Sequence, residues 1–339
     1  MIFSSYLPAW GTHWTKALGL VSAADSLNNF TIVICGPTAS GKSALALAVA
    51  DFFNGEIING DSMQIYRELK VLTARSRDEE TKTVTHHLYG ELSIKEKCSA
   101  GAWLNLAVDA ITDVRARGKL PIVCGGTGLY LKILMEGIAE VPDVPESLTE
   151  DLHQLYEREG GVAFHKRLSI VDPESASKLT ISDRQRLIRA YSVVEATGRK
   201  LGYWQTKQPA GSPVEGQFVK IVLTPPRDEL YQRINHRLDA MVSDGAVEEV
   251  ADVLEKNLNP QLPAMKALGV PEFSRYLRGQ IGLNEAIENV KSATRHFAKR
   301  QFTWFRNHMT ADLVIEDFGG TKAAFSRVKA LLGTLSVGS

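Results

Sequence analysis

Cysteine is scarce in this chain: three in 339 residues, Cys35, Cys98 and Cys124, far apart and without a Cys-x-x-Cys pair. Such a set offers neither a disulfide framework nor the clustered thiolates of a structural zinc site, and reads as reduced core thiols of a cytoplasmic protein. No stretch is apolar for the ~20 residues a membrane helix needs, so no membrane partner is expected. An excess of charge is missing too. Thirty-nine basic residues balance 39 acidic ones, so any nucleic-acid surface must be a local patch. No internal repeat or low-complexity tract appears. Residues 1–29, with Tyr6, Trp10, Trp14 and a lone Lys16, have neither the basic start nor the apolar run of a secretion signal, and are expected to form a poorly ordered extension.

What the chain does have is alternation. From Thr31 to Leu134, short β-branched runs (TIVIC, EIING, PIVCGG) alternate with helical periods, such as the stripe Trp103, Leu104, Ala107, Val108, Ile111 and Val114 that stops at Gly118. Buried strands alternating with helices predict a parallel α/β sheet, which Phe218–Leu223 and Ala311–Ile315 would extend. After AEVPDVPES the strand signal disappears. Helices there carry their own punctuation, Asp172 and Pro173 at a start and Gly198 past an end. A third stretch is also helical: Leu230, Ile234, Leu238, Met241 and Val242 share a stripe, and Asn284 is expected to cap a helix running to about Phe305.

One motif carries chemistry on its own. Gly36, Pro37, Thr38, Ala39, Ser40, Gly41, Lys42 and Ser43 form GxxxxGK[ST] directly after a strand and at the start of a helix. The glycines permit close backbone approach, amides and the helix N-terminus face an anion, Lys42 adds positive charge, and Ser43 offers a hydroxyl to Mg²⁺. The fold class expected is therefore α/β: a P-loop-type parallel sheet flanked by helices, from 30–140 and 205–335, with a helical insertion over 141–204. The loop reads phosphates, not a base or a sugar. ATP hydrolysis would add a carboxylate at the end of another hydrophobic strand, but PIVC runs into GGTGLY. Asp61 of IINGDSMQIYR follows a different strand, either as a general base beside the loop or as a cap for a helix over Ser62–Arg67.

Taken together, GPTASGKS, DSMQIYR, GGTGLYLKIL and TRHFAKRQFTWFR resemble the bacterial tRNA dimethylallyltransferases, the tRNA isopentenyltransferase family, from about Ile32 to Asn307. The resemblance implies transfer of a dimethylallyl group from dimethylallyl diphosphate to N6 of the adenosine just 3′ of a tRNA anticodon. The loop Gly36–Ser43 would then hold the diphosphate with Mg²⁺ and either Arg233 or Arg237. Asp61 would accept the N6 proton, Thr127 would lie between adenine and diphosphate, and Ser62, Met63 and Gln64 would touch the target nucleotide. The insertion would grip the anticodon stem-loop through Gln185, Arg186, Leu187, Ile188 and Arg189, beside Arg184. In the last motif, helical spacing sets Arg295, Lys299 and Arg306 on a phosphate-directed face, opposite Phe297 and Trp304 as core. His86 and His87 match a family pair and are expected to be structural. Departures from the family pattern fall at Thr85, at LTAR (72–75) and at KALGVPE (266–272), and no cysteine/histidine finger follows. The chain is expected to act as a monomer. Competing readings are a small-molecule kinase using ATP, a prenyl transferase acting on free adenine nucleotides, and a non-enzymatic RNA-binding protein.

Overall fold

Apolar runs of five to seven residues make most of the single 6-stranded sheet. The computed structural model describes residues 27, 29–75, 82–207 and 211–337. The extension expected over 1–29 lies outside the described residues except for Leu27 and Asn29. The strands are β1 (Phe30–Cys35), β2 (Gly55–Asn59), β3 (His86–His87), β4 (Leu120–Gly125), β5 (Gln217–Leu223) and β6 (Leu313–Ile315). They pair in parallel in the order β3-β2-β4-β1-β5-β6. Strands β1, β2 and β4 are buried at every position, so they appear in sequence as mainly apolar runs without regular polar alternation, the buried Thr31, Glu56 and Asn59 being the exceptions. Register sets Ile32 beside Ile122 and Val219, and Ile57 beside Ile122. Each such isoleucine, removed from water, contributes about 1.5–3 kcal/mol.

The strand order also locates the site. From β1 the chain crosses towards β2, whereas from neighbouring β4 it crosses the other way to β5, so a crevice opens at the carboxyl ends of these two strands. Helices cover the sheet: α1 (Lys42–Phe53) packs Leu45, Ala46, Val49 and Phe53 on it. The second, α2 (Ala100–Ala116), buries Trp103, Leu104, Ala107, Ile111 and Val114, is capped by the Ser99 hydroxyl accepting from Ala102 N–H, and ends where Gly118 turns left-handed. A helix α3 (Gly128–Glu136) follows β4.

The chain divides into two compact units, one of residues up to 132 and from 214 onward, the other of residues 133–213. The helical stretch expected over 141–204 falls inside the second unit, whose edges lie further out. It contains α4 (Glu146–Val171), broken at Gly160 (φ 79), α5 (Pro173–Lys178), α6 (Arg184–Thr197) and α7 (Leu201–Gln205). Asp172 caps α5 by accepting from Ser175 N–H, and Gly198 ends α6 in the left-handed conformation. The first unit continues with α8 (Arg227–Ser243), α9 (Ala246–Glu255), α10 (Val270–Leu277), α11 (Leu283–His308) and α12 (Lys322–Val337). Two details differ from expectation. Residue Gly282, not Asn284, occupies the N-cap of α11, and residues 62–67 form turns in place of a helix.

Strand β3 was invisible in sequence because two residues hold no period. It explains the histidine pair: His87 Nε2 meets Glu56 Oε2 at 2.6 Å, and Arg117 (2.6 Å) and Lys119 (2.7 Å) complete the ring around that carboxylate. The Glu56 side chain is only 3% exposed. Burial alone would push its carboxyl up, but bonds from Lys119, His87 and Arg117 outweigh this and hold it down at about 2. The folded value lies below the unfolded one, so the network's stability is present above the ordinary carboxylate range and is lost as pH falls towards 2. Replacement Glu56→Gln should lower stability at neutral pH by on the order of 2–3 kcal/mol and flatten the acid limb of a melting-temperature profile. A variant with the wild-type acid limb would contradict this account.

Candidate active site

Loops 36–43, 60–64 and 125–128 meet at the carboxyl ends of β1, β2 and β4. In the first, Ala39 (φ 65) and Gly41 (φ 84) are left-handed, which curls successive amides around a common centre. A Cβ at position 41 would lie 2.9 Å from Gly319 N, so glycine is required where the segment 317–320 packs against the loop, with Gly319 N–H donating to Ser40 O. The Ser40 hydroxyl is buried without a hydrogen-bond partner. Residue Lys42 donates to Pro37 O at 3.4 Å. Burial pushes its ammonium down, while Cys124 and Asp61 pull it back up. Arg237 on α8 donates to the Thr38 hydroxyl, and burial lowers its guanidinium to about 10 against the opposing pull of Asp61. Arg233 instead lies over the Phe318 ring at 3.5 Å. Of the two arginines, the structure puts Arg237 against the loop.

One expectation for the loop is corrected. Two of its amides are already engaged: Thr38 N–H donates to Gln301 Oε1 at 2.8 Å and Ser40 N–H to Pro37 O at 3.3 Å, while the Thr38 hydroxyl accepts from Arg237.

The opposite side is held by Asn59, fully buried at the end of β2. Its Oδ1 accepts Asp61 N–H (2.8 Å), its Nδ2 donates to Asp61 O (2.9 Å) and Leu88 O (3.0 Å), and its own carbonyl accepts the Trp103 indole N–H (2.9 Å). The Asp61 carboxylate accepts Met63 N–H through Oδ1 at 2.9 Å, a local turn in place of a helix cap. Thr127 Oγ1 accepts Ser62 N–H (3.0 Å) and lies 3.3 Å from Ser62 Oγ, while Gly60 O accepts Thr127 N–H (3.3 Å). The approach is so close that a Cβ on Gly125 would lie 2.1 Å from the Gly60 carbonyl. Gln64 donates to Thr73 O and Ala74 O, anchoring the LTAR run. That run is pinned from behind by the Glu249 carboxylate of α9, which accepts the amides of Lys70, Val71 and Leu72.

In the second unit the basic stretch is less uniform than its sequence. Leu187 and Ile188 are buried in the core with Leu152, Phe164 and Leu168, leaving Gln185, Arg186 and Arg189 exposed. Arg184 is turned to its own unit, paired with Glu157, bonded to His153 and lying over Tyr156. These corrections follow from helical periodicity, because consecutive residues of α6 cannot share one face.

On α11 the stripe is rotated from expectation. The buried face is Ala286, Val290, Ala298, Gln301 and Phe305; Phe297 and Trp304 are only half-buried, and Arg295 bonds Asn235. A small alanine and a polar glutamine, invisible to a count of large apolar residues, form the inner face because the helix comes close to the loops. Trp304 lies on Gly128, whose Cβ would sit 2.3 Å from the indole. His296, Lys299, Arg300, Thr303, Trp304, Asn307 and His308 line an open groove of about 460 Å³, and Arg306 faces a different cavity with Phe302 and Phe305. Sequence reading missed Asn59, Glu249 and Gln301. Only the polarity of Asn59 and Gln301 inside otherwise apolar patterns could have drawn notice to them.

A curled loop with a half-buried lysine and arginine, facing a carboxylate, is the equipment of a group-transfer enzyme with an anionic leaving group. The family model described as IPP transferase matches residues 64–308. A tRNA dimethylallyltransferase of Rhodospirillum rubrum is 48% identical over 286 residues, 84% of this chain and 88% of that protein, and one of Nitrobacter hamburgensis is 46% identical over 299 residues, 88% and 92%. Among solved structures, the tRNA isopentenylpyrophosphate transferase of Bacillus halodurans matches with TM-score 0.66 and 32% identity over 91% of this chain and 97% of its own. A eukaryotic dimethylallyltransferase acting on tRNA matches with TM-score 0.73 and 27% identity, covering 89% and 78%. The chain belongs to the IPP transferase family.

The geometry separates the two arginines experimentally. Arg237→Ala should weaken binding of inorganic pyrophosphate about tenfold or more in calorimetry, since a charge-assisted bond is worth about 1.5–3 kcal/mol, whereas Arg233→Ala should change it by less than about threefold. The reverse order would relocate the anion site.

Proposed function

We propose that this chain is a tRNA dimethylallyltransferase that moves a dimethylallyl group from dimethylallyl diphosphate to N6 of the adenosine 3′ of the anticodon. The observation that carries the reading is the opposition of Asp61, fixed by Asn59, to the loop charged by Lys42 and Arg237. The amides of loop 36–43, Lys42 and Arg237 bind the diphosphate and stabilise the charge that grows as the allylic C–O bond breaks. The leaving oxygen takes that electron pair. The N6 lone pair forms the new N–C bond, and its proton passes to Asp61, whose Oδ1 already accepts Met63 N–H, which leaves Oδ2 for the amine. Thr127, bonded to Ser62, stands with it on the Asp61 side.

The residues present fit Mg²⁺ carried in on phosphate. The Ser43 hydroxyl stands in the first turn of α1 within reach of the Cys124 thiol, and among the described residues no cluster of three or more His, Cys, Asp or Glu forms a protein-only cage. When bound, the ion supplies charge neutralisation to the departing diphosphate, with Ser43 as the protein ligand.

The adenine must leave its stack to reach Asp61, at a cost of about a few kcal/mol that is least for an unpaired loop nucleotide. Gln185, Arg186 and Arg189, together with the cationic groove of α11 and its Trp304, supply phosphate neutralisation and a stacking surface for tRNA. Work on tRNA sets the proposed location as the cytoplasm. No helix among the described residues is long and apolar enough to cross a membrane.

Radiolabelled dimethylallyl diphosphate offered with unmodified tRNA, and γ-labelled ATP in parallel, should show only the prenyl label on RNA; movement of the γ-phosphate would instead favour a kinase. Asp61→Ala should lower turnover by about 10²–10⁴-fold with tRNA affinity retained. Near-normal turnover of that variant would remove Asp61 as the base.

A further inference from the structure

Helix α11 reaches the site through an uncharged residue. Gln301 is 6% exposed, and both ends of its amide are used: Oε1 accepts Thr38 N–H at 2.8 Å and Nε2 donates to Gly126 O at 2.9 Å. The fit is tight, since a Cβ on Gly126 would lie 2.3 Å from that nitrogen. A buried amide is costly unless both ends are bonded. The requirement for one acceptor and one donor is specific: a carboxylate lacks the donor at neutral pH, and an apolar side chain lacks both.

The two bonded groups belong to opposite halves of the site. Thr38 carries the hydroxyl that receives Arg237. Gly126 immediately precedes Thr127, whose Oγ1 holds Ser62 N–H next to Asp61. We propose that Gln301 is a positioning residue that sets the separation between the Thr38–Arg237 half and the Thr127–Asp61 half. The inference rests on the transfer reading above, in which one half holds the electrophile's leaving group and the other the nucleophile. Without the bridge each substrate still meets an intact half-site, but the reacting atoms lose their register. Gln301 therefore acts on the rate of the bound complex and hardly at all on the affinity of either substrate.

The test uses the full-length chain with Gln301→Met, which keeps the length and removes both bonds, and Gln301→Glu, which keeps the acceptor. Single-turnover transfer from labelled dimethylallyl diphosphate to unmodified tRNA is measured beside separate dissociation constants, with wild type run alongside. Q301M should lose about 10–100-fold in rate with both dissociation constants within about threefold of wild type, because misplacement by about 1 Å costs on that order. Q301E regains a donor to Gly126 only when protonated, so its rate relative to wild type should climb as pH falls below neutrality. A Q301E profile parallel to that of wild type would overturn the inference, as would rates within about threefold of wild type or a loss confined to one substrate's affinity. The Q301E profile decides the matter even if Q301M fails to fold. Absence of transfer by wild type would sink the reaction reading and this inference with it; active wild type with unaltered variants would sink the inference alone.

Discussion

Holding two half-buried positive charges beside a tightly curled, glycine-bounded loop is the constraint on which the rest of this structure depends. Lys42 and Arg237 both lose water, and Asp61 is the carboxylate whose pull acts on both. That arrangement is unfavourable in isolation and becomes favourable when an anion with several oxygens enters. The nearby thiols obey the same electrostatics: burial lifts Cys124 to about 11 even though Lys42 and a bond from Ser43 pull it down. The buried Cys124 thiol therefore stays neutral beside Lys42 and offers no reactive thiolate.

A second requirement is rigidity on the carboxylate side. Asp61 stands on a loop, where side chains ordinarily wander, yet its backbone is bonded on both faces by Asn59, and Asn59 is fixed in turn by Trp103. The loop that follows is tied to β4 by Thr127 and to the 73–74 carbonyls by Gln64. Each bond is worth only about 1 kcal/mol, but together they restrict one carboxylate to a narrow set of positions, as the proposed role of proton acceptor requires.

How much of this could be read from the chain depended on whether the signal was local. The parallel sheet was legible because β1, β2 and β4 are buried throughout and bounded by helical periods, and the glycine-bounded loop was legible because its geometry is set within eight residues. Motif resemblance then supplied the family. Strand β3 was not legible, being two residues long and defined by its neighbour, and neither was the inner face of α11, where Ala298 and Gln301 replace the large apolar residues that mark a core. The choice between Arg233 and Arg237 also had to await structure, because four residues along a helix leave both on one side and only Phe318 and Thr38 tell them apart. Leu187 and Ile188 illustrate the opposite error, a contiguous stretch taken as one surface when the helix sends its members to different sides.

The bond from Thr38 to Gln301 spans 263 residues, and that from Lys70 to Glu249 spans 179. On a ribosome the loop therefore emerges long before the helix that tethers it. Closures of such separation are slow to form, because the loop entropy is lost before the contact returns anything. A nascent chain that stalls short of α11 would carry a recognisable sheet and an intact motif but an unfinished catalytic centre, so competence awaits the synthesis of that helix.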